Sequence, residues 1–328
     1  MPLRHSLLAV LVMIIWGTNF LAIDVGVDDV PPVLFVAIRF VVVLIPAIFL
    51  VPRPAAALKD VLVVGLFLSL GQFALMYTAI WLDMPPGLAS LVLQAQVVLT
   101  VLFASVALRE RPTAPQLVGV LLGAVGLVIV GVGRSAATPG LAFLLTLAAA
   151  ASWATGNVIV RRLGSATQAA GGRQSPLAGL SMTVWSALVV PVPMFALSLV
   201  LDGPAAVGHA LTHPTWAAVL STLYTAWLAS LVGYGIWNTL LDRYRASAVV
   251  PFTMLVPVVG MSVAWLALGE VPNLAEAGGG LLLLLGVAIT SGLLRWPDRR
   301  RGPGSPALGA RRRISGAAPS HRDRATIE

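Results

Sequence analysis

Two short strings set large aromatic rings beside amide groups. WGTNF runs from Trp16 to Phe20 and WATGN from Trp153 to Asn157. On a helix Trp16, Asn19 and Phe20 share one face at i, i+3 and i+4, and Trp153 and Asn157 share another at i and i+4. Their chemistry is hydrogen bonding and ring contact. It serves either a solute in a cavity or a neighbouring helix across a packed interface. Thr18 and Thr155 fit a plainer role, since a helical threonine bonds its own backbone. Arg39 carries a full charge about six residues, or about 9 Å, into an apolar block. A charge at membrane depth is costly, by roughly 2.5 kcal/mol or more at the centre. Either it clamps a carboxylate, or it is structural and caps carbonyls near the surface. Tyr77, Tyr234, Trp237 and Asn238 offer further rings and donors. Of Gln72, Gln94 and Gln96, the last two are two residues apart and cannot share a helix face, so Gln94 is favoured as the one facing a cavity. The predicted solute-binding set is therefore Trp16, Asn19, Arg39, Tyr77, Gln94, Trp153, Asn157, Tyr234 and Trp237.

Other chemistries are missing. The chain has no cysteine, which excludes disulfides and thiolate sites. Its four histidines are scattered, so no metal site and no cofactor is expected. No apolar block holds a His/Asp/Glu cluster or a Ser–Lys pair, which argues against an intramembrane enzyme. Asp24 is the acid nearest a block, at its outer edge, so proton coupling lacks the usual buried titratable group.

The elements that must position these residues follow from composition. Of 328 residues, 58% are hydrophobic and 10% charged, with a mean hydropathy of +0.92. A soluble domain carries about 25% charged residues, so the main solvent of this chain is lipid. Ten apolar blocks approach the ~20 residues that a bilayer-crossing helix needs: about 6–26, 33–51, 61–82, 87–108, 115–132, 141–161, 177–200, 216–240, 246–268 and 275–294. Beta-barrel strands would be about half that length and alternating. The first block lacks a cleavage signal and reads as a retained helix. Pro251 and Pro257 fall in the ninth block, where they either make a ligand-facing break or kink the helix for packing.

Net charge is +8. Of the 21 Lys and Arg, all but Arg39 and Arg134 fall in segments on one side if the spans alternate. Acids, Asp24, Asp28, Asp29, Asp83, Asp202, Glu270 and Glu276, gather on the other. That asymmetry predicts cytoplasmic N- and C-termini and explains the basicity without nucleic acid. Residues 295–328 are rich in Arg, Gly, Pro and Ser and are predicted to be a disordered cytoplasmic tail beside anionic lipid.

The halves repeat. ASLVL at Ala89 parallels ASAVV at Ala246, and LRERPTAPQLVGVLLGAVGL from Leu108 parallels LGEVPNLAEAGGGLLLLLGV from Leu268. Two copies, 5–133 and 140–294, each hold five helices. Five is odd, so the second copy enters the membrane from the opposite face. The expected fold is an all-α integral membrane protein of ten transmembrane helices in two inverted five-helix repeats, an arrangement typical of transporters. The small-residue runs Gly119–Gly126 and Gly278–Gly280 should let the fifth and tenth helices, or two protomers of a homodimer, approach closely.

The WGTNF string, Arg39-Phe40 in the second block, Glu110-Arg111-Pro112 after the fourth and the two-fold layout together resemble the EamA-type drug/metabolite transporters. MPPGLASLVLQAQ (Met84–Gln96), LTLAAAASWATGN (Leu145–Asn157), VGYGIWNTLLDRY (Val232–Tyr244) and LVPVVG (Leu255–Gly260) resemble more closely the bacterial O-acetylserine/cysteine exporters within that family. The resemblance covers about residues 5–296. It implies a plasma (inner) membrane transporter that exports small amino-acid metabolites by alternating access. The alternative is an exporter of other amino acids, metabolites or drugs with the same fold. Glu270-Val271 departs from the Glu-Arg pattern, so the contact at that edge should differ.

Overall fold

The computed structural model describes residues 1–169 and 178–293, and for 165–169, 178, 242, 246 and 247 the backbone only. Arg173 and the expected tail lie outside the described residues. No strand occurs among those described. A backbone that crosses lipid must satisfy its own hydrogen bonds, and in this composition the helix does so. Among the described residues nine helical stretches are long and apolar enough to cross a bilayer: α1 (Leu3–Val27), α2 (Pro32–Leu50), α3 (Leu58–Trp81), α4 (Pro86–Ala107), α5 (Ala114–Gly133), α6 (Gly140–Gly164), α7 (Gly179–Leu201), α8 (Trp216–Leu241) and α9 (Val250–Leu268). A shorter apolar helix, α10 (Leu274–Thr290), follows with 17 residues. The α7–α8 connector holds a further helix, Gly203–Thr212, that the apolar pattern does not reveal.

Local signals set the boundaries. Prolines open α2 and α4, where the missing N–H has no helical partner anyway. Thr113 with Gln116 and Asn273 with Glu276 form reciprocal capping boxes at the starts of α5 and α10. Gly269 ends α9 at φ 70°, a left-handed conformation that glycine adopts freely.

Contacts at the helix ends separate a basic from an acidic end. At the basic end His5 Nδ1 meets the Tyr244 hydroxyl at 2.5 Å and Arg161 pairs with Glu110 at 3.0 Å. At the acidic end Thr215 donates to Asp29 at 2.5 Å, Gly87 N to Glu270 at 3.1 Å and Asn273 Nδ2 to Gly133 O at 3.0 Å. The two Glu-containing edges therefore differ: Glu110 forms an exposed ion pair, and Glu270 accepts from the first turn of α4.

The closest helix pair is α5 with α10. A Cβ added at Gly126 would lie 2.5 Å from Gly279 O and Leu283 N, and one at Gly286 would lie 2.5 Å from Gly119 O and Gly123 N. Backbone touches backbone here. In lipid, where hydrophobic burial does little to join helices, such close packing holds them together. Gly278 is not part of this contact, since a Cβ there meets nothing within 4 Å.

Five of the described helices depart from regular geometry, one of them α7, which holds a short 3₁₀ segment, Ala187–Val189. α3 and α8 contain π-helical segments, Leu66–Gly71 and Tyr224–Gly233. α9 opens with a 3₁₀ segment, Val250–Met254, around Pro251. α4 tightens at the same depth: Gln94 N bonds Leu91 O, Gln96 N bonds Leu93 O, and Val97 N bonds Gln94 O. Pro257 causes no break, because it sits in the first turn of the α-helical part, Leu255–Leu268.

Candidate functional site

A cavity of about 530 Å³ lies at the centre, lined by every named helix except α5 and α10. Its deepest residues toward the acidic end, Ile23, Met76 and Ser90, are buried. Val160, Gly179, Leu241 and Val250 near the basic end are partly or fully exposed. The lining is thus less covered near the basic end than near the acidic end.

The π segments are where the two aromatic–amide strings dock. The wide turn of α8 leaves Ala229 O to accept from Trp16 Nε1 at 3.0 Å. In α3, Phe67 O accepts from Ser152, next to Trp153, at 2.8 Å. π-bulges are frequent at functional sites because they release carbonyls from the helical ladder. Trp16 then packs at the cavity wall against Tyr234 and Trp237, its ring tilted to both, at ring-centroid distances of 5.0 and 5.5 Å. Thr155 bonds its own backbone at Ala151 O, 2.9 Å, as expected. The Tyr224 hydroxyl of α8 donates to Ile15 O, beside Trp16, at 3.0 Å.

Of the predicted residues, Trp16, Asn19, Arg39, Gln94, Trp153, Asn157, Tyr234 and Trp237 line the cavity together. Tyr77 does not. It is fully buried behind Arg39, and its hydroxyl accepts from Arg39 Nη1 at 2.8 Å. A helical face read from one sequence cannot tell which of two facing tyrosine walls a neighbouring arginine will close off. Gln96 lines the cavity as well as Gln94, contrary to the exclusion by helix spacing. The turn at Leu93–Gln94 resets the helical phase, so residues two apart face the same space. Gln94 Nε2 donates to Thr253 O at 3.0 Å, joining the tight segments of α4 and α9, and Gln96 Oε1 accepts from Asn157 Nδ2 at 3.1 Å. Ser230, Thr253 and Phe73 also line the cavity; no spacing signal marks them, because their roles arise from contacts between distant helices.

Arg39 is 2% exposed. Its Nη2 donates to Ser230 Oγ at 3.0 Å, and its guanidinium stacks 4.2 Å from the centroid of Phe73. Arg39 pairs with no carboxylate among the described residues, and its Nε has no partner. Among the described residues no Asp or Glu lines the cavity, and the guanidinium is the one charged group of its wall. Two further buried atoms of the wall, Asn19 Oδ1 and Asn238 Nδ2, also lack partners. One acceptor and two donors at the wall are thus unpaired, beside one positive charge.

Comparison with known proteins agrees with this architecture. The profile of the EamA-like transporter family matches twice, over residues 3–132 and 140–292. A probable amino-acid metabolite efflux pump of Escherichia coli K12 is 40% identical over 300 residues, 90% of this chain and 97% of the relative. A protein of the same description from Salmonella typhimurium is 40% identical over 294 residues, 88% and 95% of the two chains. A probable terminal-alkyne amino-acid exporter of Streptantibioticus cattleyicolor is 29% identical over 304 residues, 90% and 96% of the two chains. A crystal structure 22% identical to this chain superposes with a TM-score of 0.57, covering 89% of this chain and 98% of the other, and so shares the fold. The chain is a multi-pass membrane transporter and belongs to the EamA-like transporter family.

Proposed function

We propose that this protein exports small amino-acid metabolites, such as cysteine or O-acetylserine, across the inner membrane by alternating access. The observation that carries this reading is the cavity: among the described residues its wall holds one buried cation, no acid and unpartnered amide groups. An unpaired guanidinium favours solutes with a carboxylate and disfavours simple amines. The efflux-pump relatives, similar over nearly their whole length, support the same class of solute.

The ten apolar helices form two five-helix repeats of opposite sense, residues 5–133 and 140–294, and the 295–328 segment is a basic tail on the cytoplasmic face beside anionic lipid. The double family match and the reciprocal docking of the two strings on the π segments of the opposite halves support this reading. The basic end is cytoplasmic by the charge rule, so the cavity faces the compartment from which export begins. Exchange of the two repeats' arrangements would open the acidic end instead.

A cavity of about 530 Å³ lies in the range that holds drug-sized ligands. That volume favours the second reading, a broader exporter of amino acids, metabolites or drugs. Purified protein in liposomes loaded with labelled solutes tests both. Efflux of cysteine or O-acetylserine, without efflux of larger apolar drugs, is expected. Efflux of the drugs alone would overturn the assignment to amino-acid metabolites.

A further inference from the structure

A second recess of about 170 Å³ lies at the acidic end and shares no lining residue with the central cavity. Four elements meet around it: the start of α4 at Gly87, the α5–α6 connector from Ser135 to Thr138, α9 at Met261, and the stretch from Glu270 to Glu276 that leads into α10. Two carboxylates face it, Glu270 and Glu276. Gly87 N donates to Glu270 Oε2 at 3.1 Å; Ser135 N and Asn273 N donate to the two oxygens of Glu276 at 3.2 and 2.9 Å. Neither carboxylate is ion-paired to a basic residue among the described residues. Arg134, the nearby basic group on the connector, is spent on Gly131 O and Thr138 O. On α1 the acid near Glu270 is Asp24, which adds negative charge. Burial, outweighing the Gly87 bond, together with Asp24 and Glu276, raises the Glu270 carboxyl above the ordinary carboxylate range.

Two observations point beyond a structural cap. Thr138 is 3% exposed, lines the recess, and its Oγ1 has no hydrogen-bond partner. The charge of Glu276 is also not needed for capping, because Gln116 closes the equivalent box on α5 as a neutral side chain. A carboxylate only 7% exposed with no cationic partner is costly unless something neutralises it.

We infer that this recess binds a monovalent cation of about the size of sodium, held by Glu270, Glu276 and Thr138 Oγ1. The donors are all hard oxygens, with no imidazole or thiolate, which excludes zinc and the softer metals. The two carboxylates and Thr138 offer at most five side-chain oxygens, fewer than the six to eight ligands that calcium takes, and each oxygen that accepts from a backbone amide keeps a second lone pair for the ion. The cation ties the first turn of α4 to both connectors and holds the acidic end shut. The inference is independent of what the central cavity carries.

The test is thermal unfolding of the purified full-length protein, followed by tryptophan fluorescence, in choline chloride with sodium chloride titrated in at constant ionic strength. Sodium should raise the midpoint saturably, by roughly 3 °C at ten times its half-saturating concentration, and potassium should do so only at higher concentration. Glu276→Gln keeps the capping box and should abolish the rise. Thr138→Val should shift half-saturation about tenfold upward. Equal midpoints in all three salts, a sodium response that survives in Glu276→Gln, or a midpoint that follows pH but not sodium would each overturn the site.

Discussion

Replacing Arg39 by methionine separates its electrostatic role from its packing role. Methionine keeps most of the apolar stem and removes the guanidinium. The lost hydrogen bonds to Tyr77 and Ser230 are each worth about 1.5–3 kcal/mol as charge-assisted bonds. The stacking on Phe73 adds about 1–2 kcal/mol. Against that stands the desolvation of an unpaired, 2% exposed cation, itself several kcal/mol. The terms nearly cancel, so Arg39→Met should melt within a few degrees of the parent. Its effect on solute choice should be large. A carboxylate about 5 Å from the charge, at an effective dielectric of ~20, gains about 3 kcal/mol, a preference of about a hundredfold. Counterflow in proteoliposomes with cysteine and its decarboxylated analogue cysteamine reads that ratio directly. The parent should favour cysteine strongly, and Arg39→Met should reduce the preference to a few-fold. A well-folded Arg39→Met protein that still discriminates about a hundredfold would show that the guanidinium only braces α2 against α3 and α8.

Other substitutions probe the remaining contacts. Gly126→Ala puts a methyl against the backbone of α10 and should lower stability by about 1–3 kcal/mol; Gly278→Ala, which faces open space, should be neutral or slightly stabilising in the same melts, by up to about 1 kcal/mol from helix propensity. Asn157→Ala frees Gln96 within the cavity and should change the half-saturating solute concentration several-fold with little effect on the melting midpoint. The raised carboxyl of Glu270 makes a pH prediction for sodium-free buffer. A group whose folded pKa is raised adds stability below its unfolded value and loses it as pH climbs through the folded one. The parent should therefore weaken relative to Glu270→Gln as pH rises above the ordinary carboxylate range, and parallel pH–melting curves would refute that placement.

The all-helical fold and the basic–acidic polarity of the helix ends are carried by block length and charge, because lipid permits little but helices of a fixed length. The cavity's aromatic and amide residues were legible because two strings 137 residues apart put the same groups on a helical face. What the sequence does not reveal is phase. The π segments of α3 and α8 contain no proline and no special residue run, and their extra width is stabilised by partners on other helices, Ser152 and Trp16. Gln96 enters the cavity for the same kind of reason, through a tight turn at Leu93–Gln94 that no local residue demands. Tyr77 was placed at the wall by its type, but the guanidinium of Arg39 lies between it and the open space. The α5–α10 contact was readable because only glycine permits it.

That contact also divides the molecule mechanically. Two helices that touch along their bare backbones have no side-chain layer to shear, so neither turns nor slides without carrying the other. They form a rigid spar that contributes nothing to the wall of the central space. Among the described helices, a rearrangement of that space is therefore expected to move the other eight relative to this pair, as one unit.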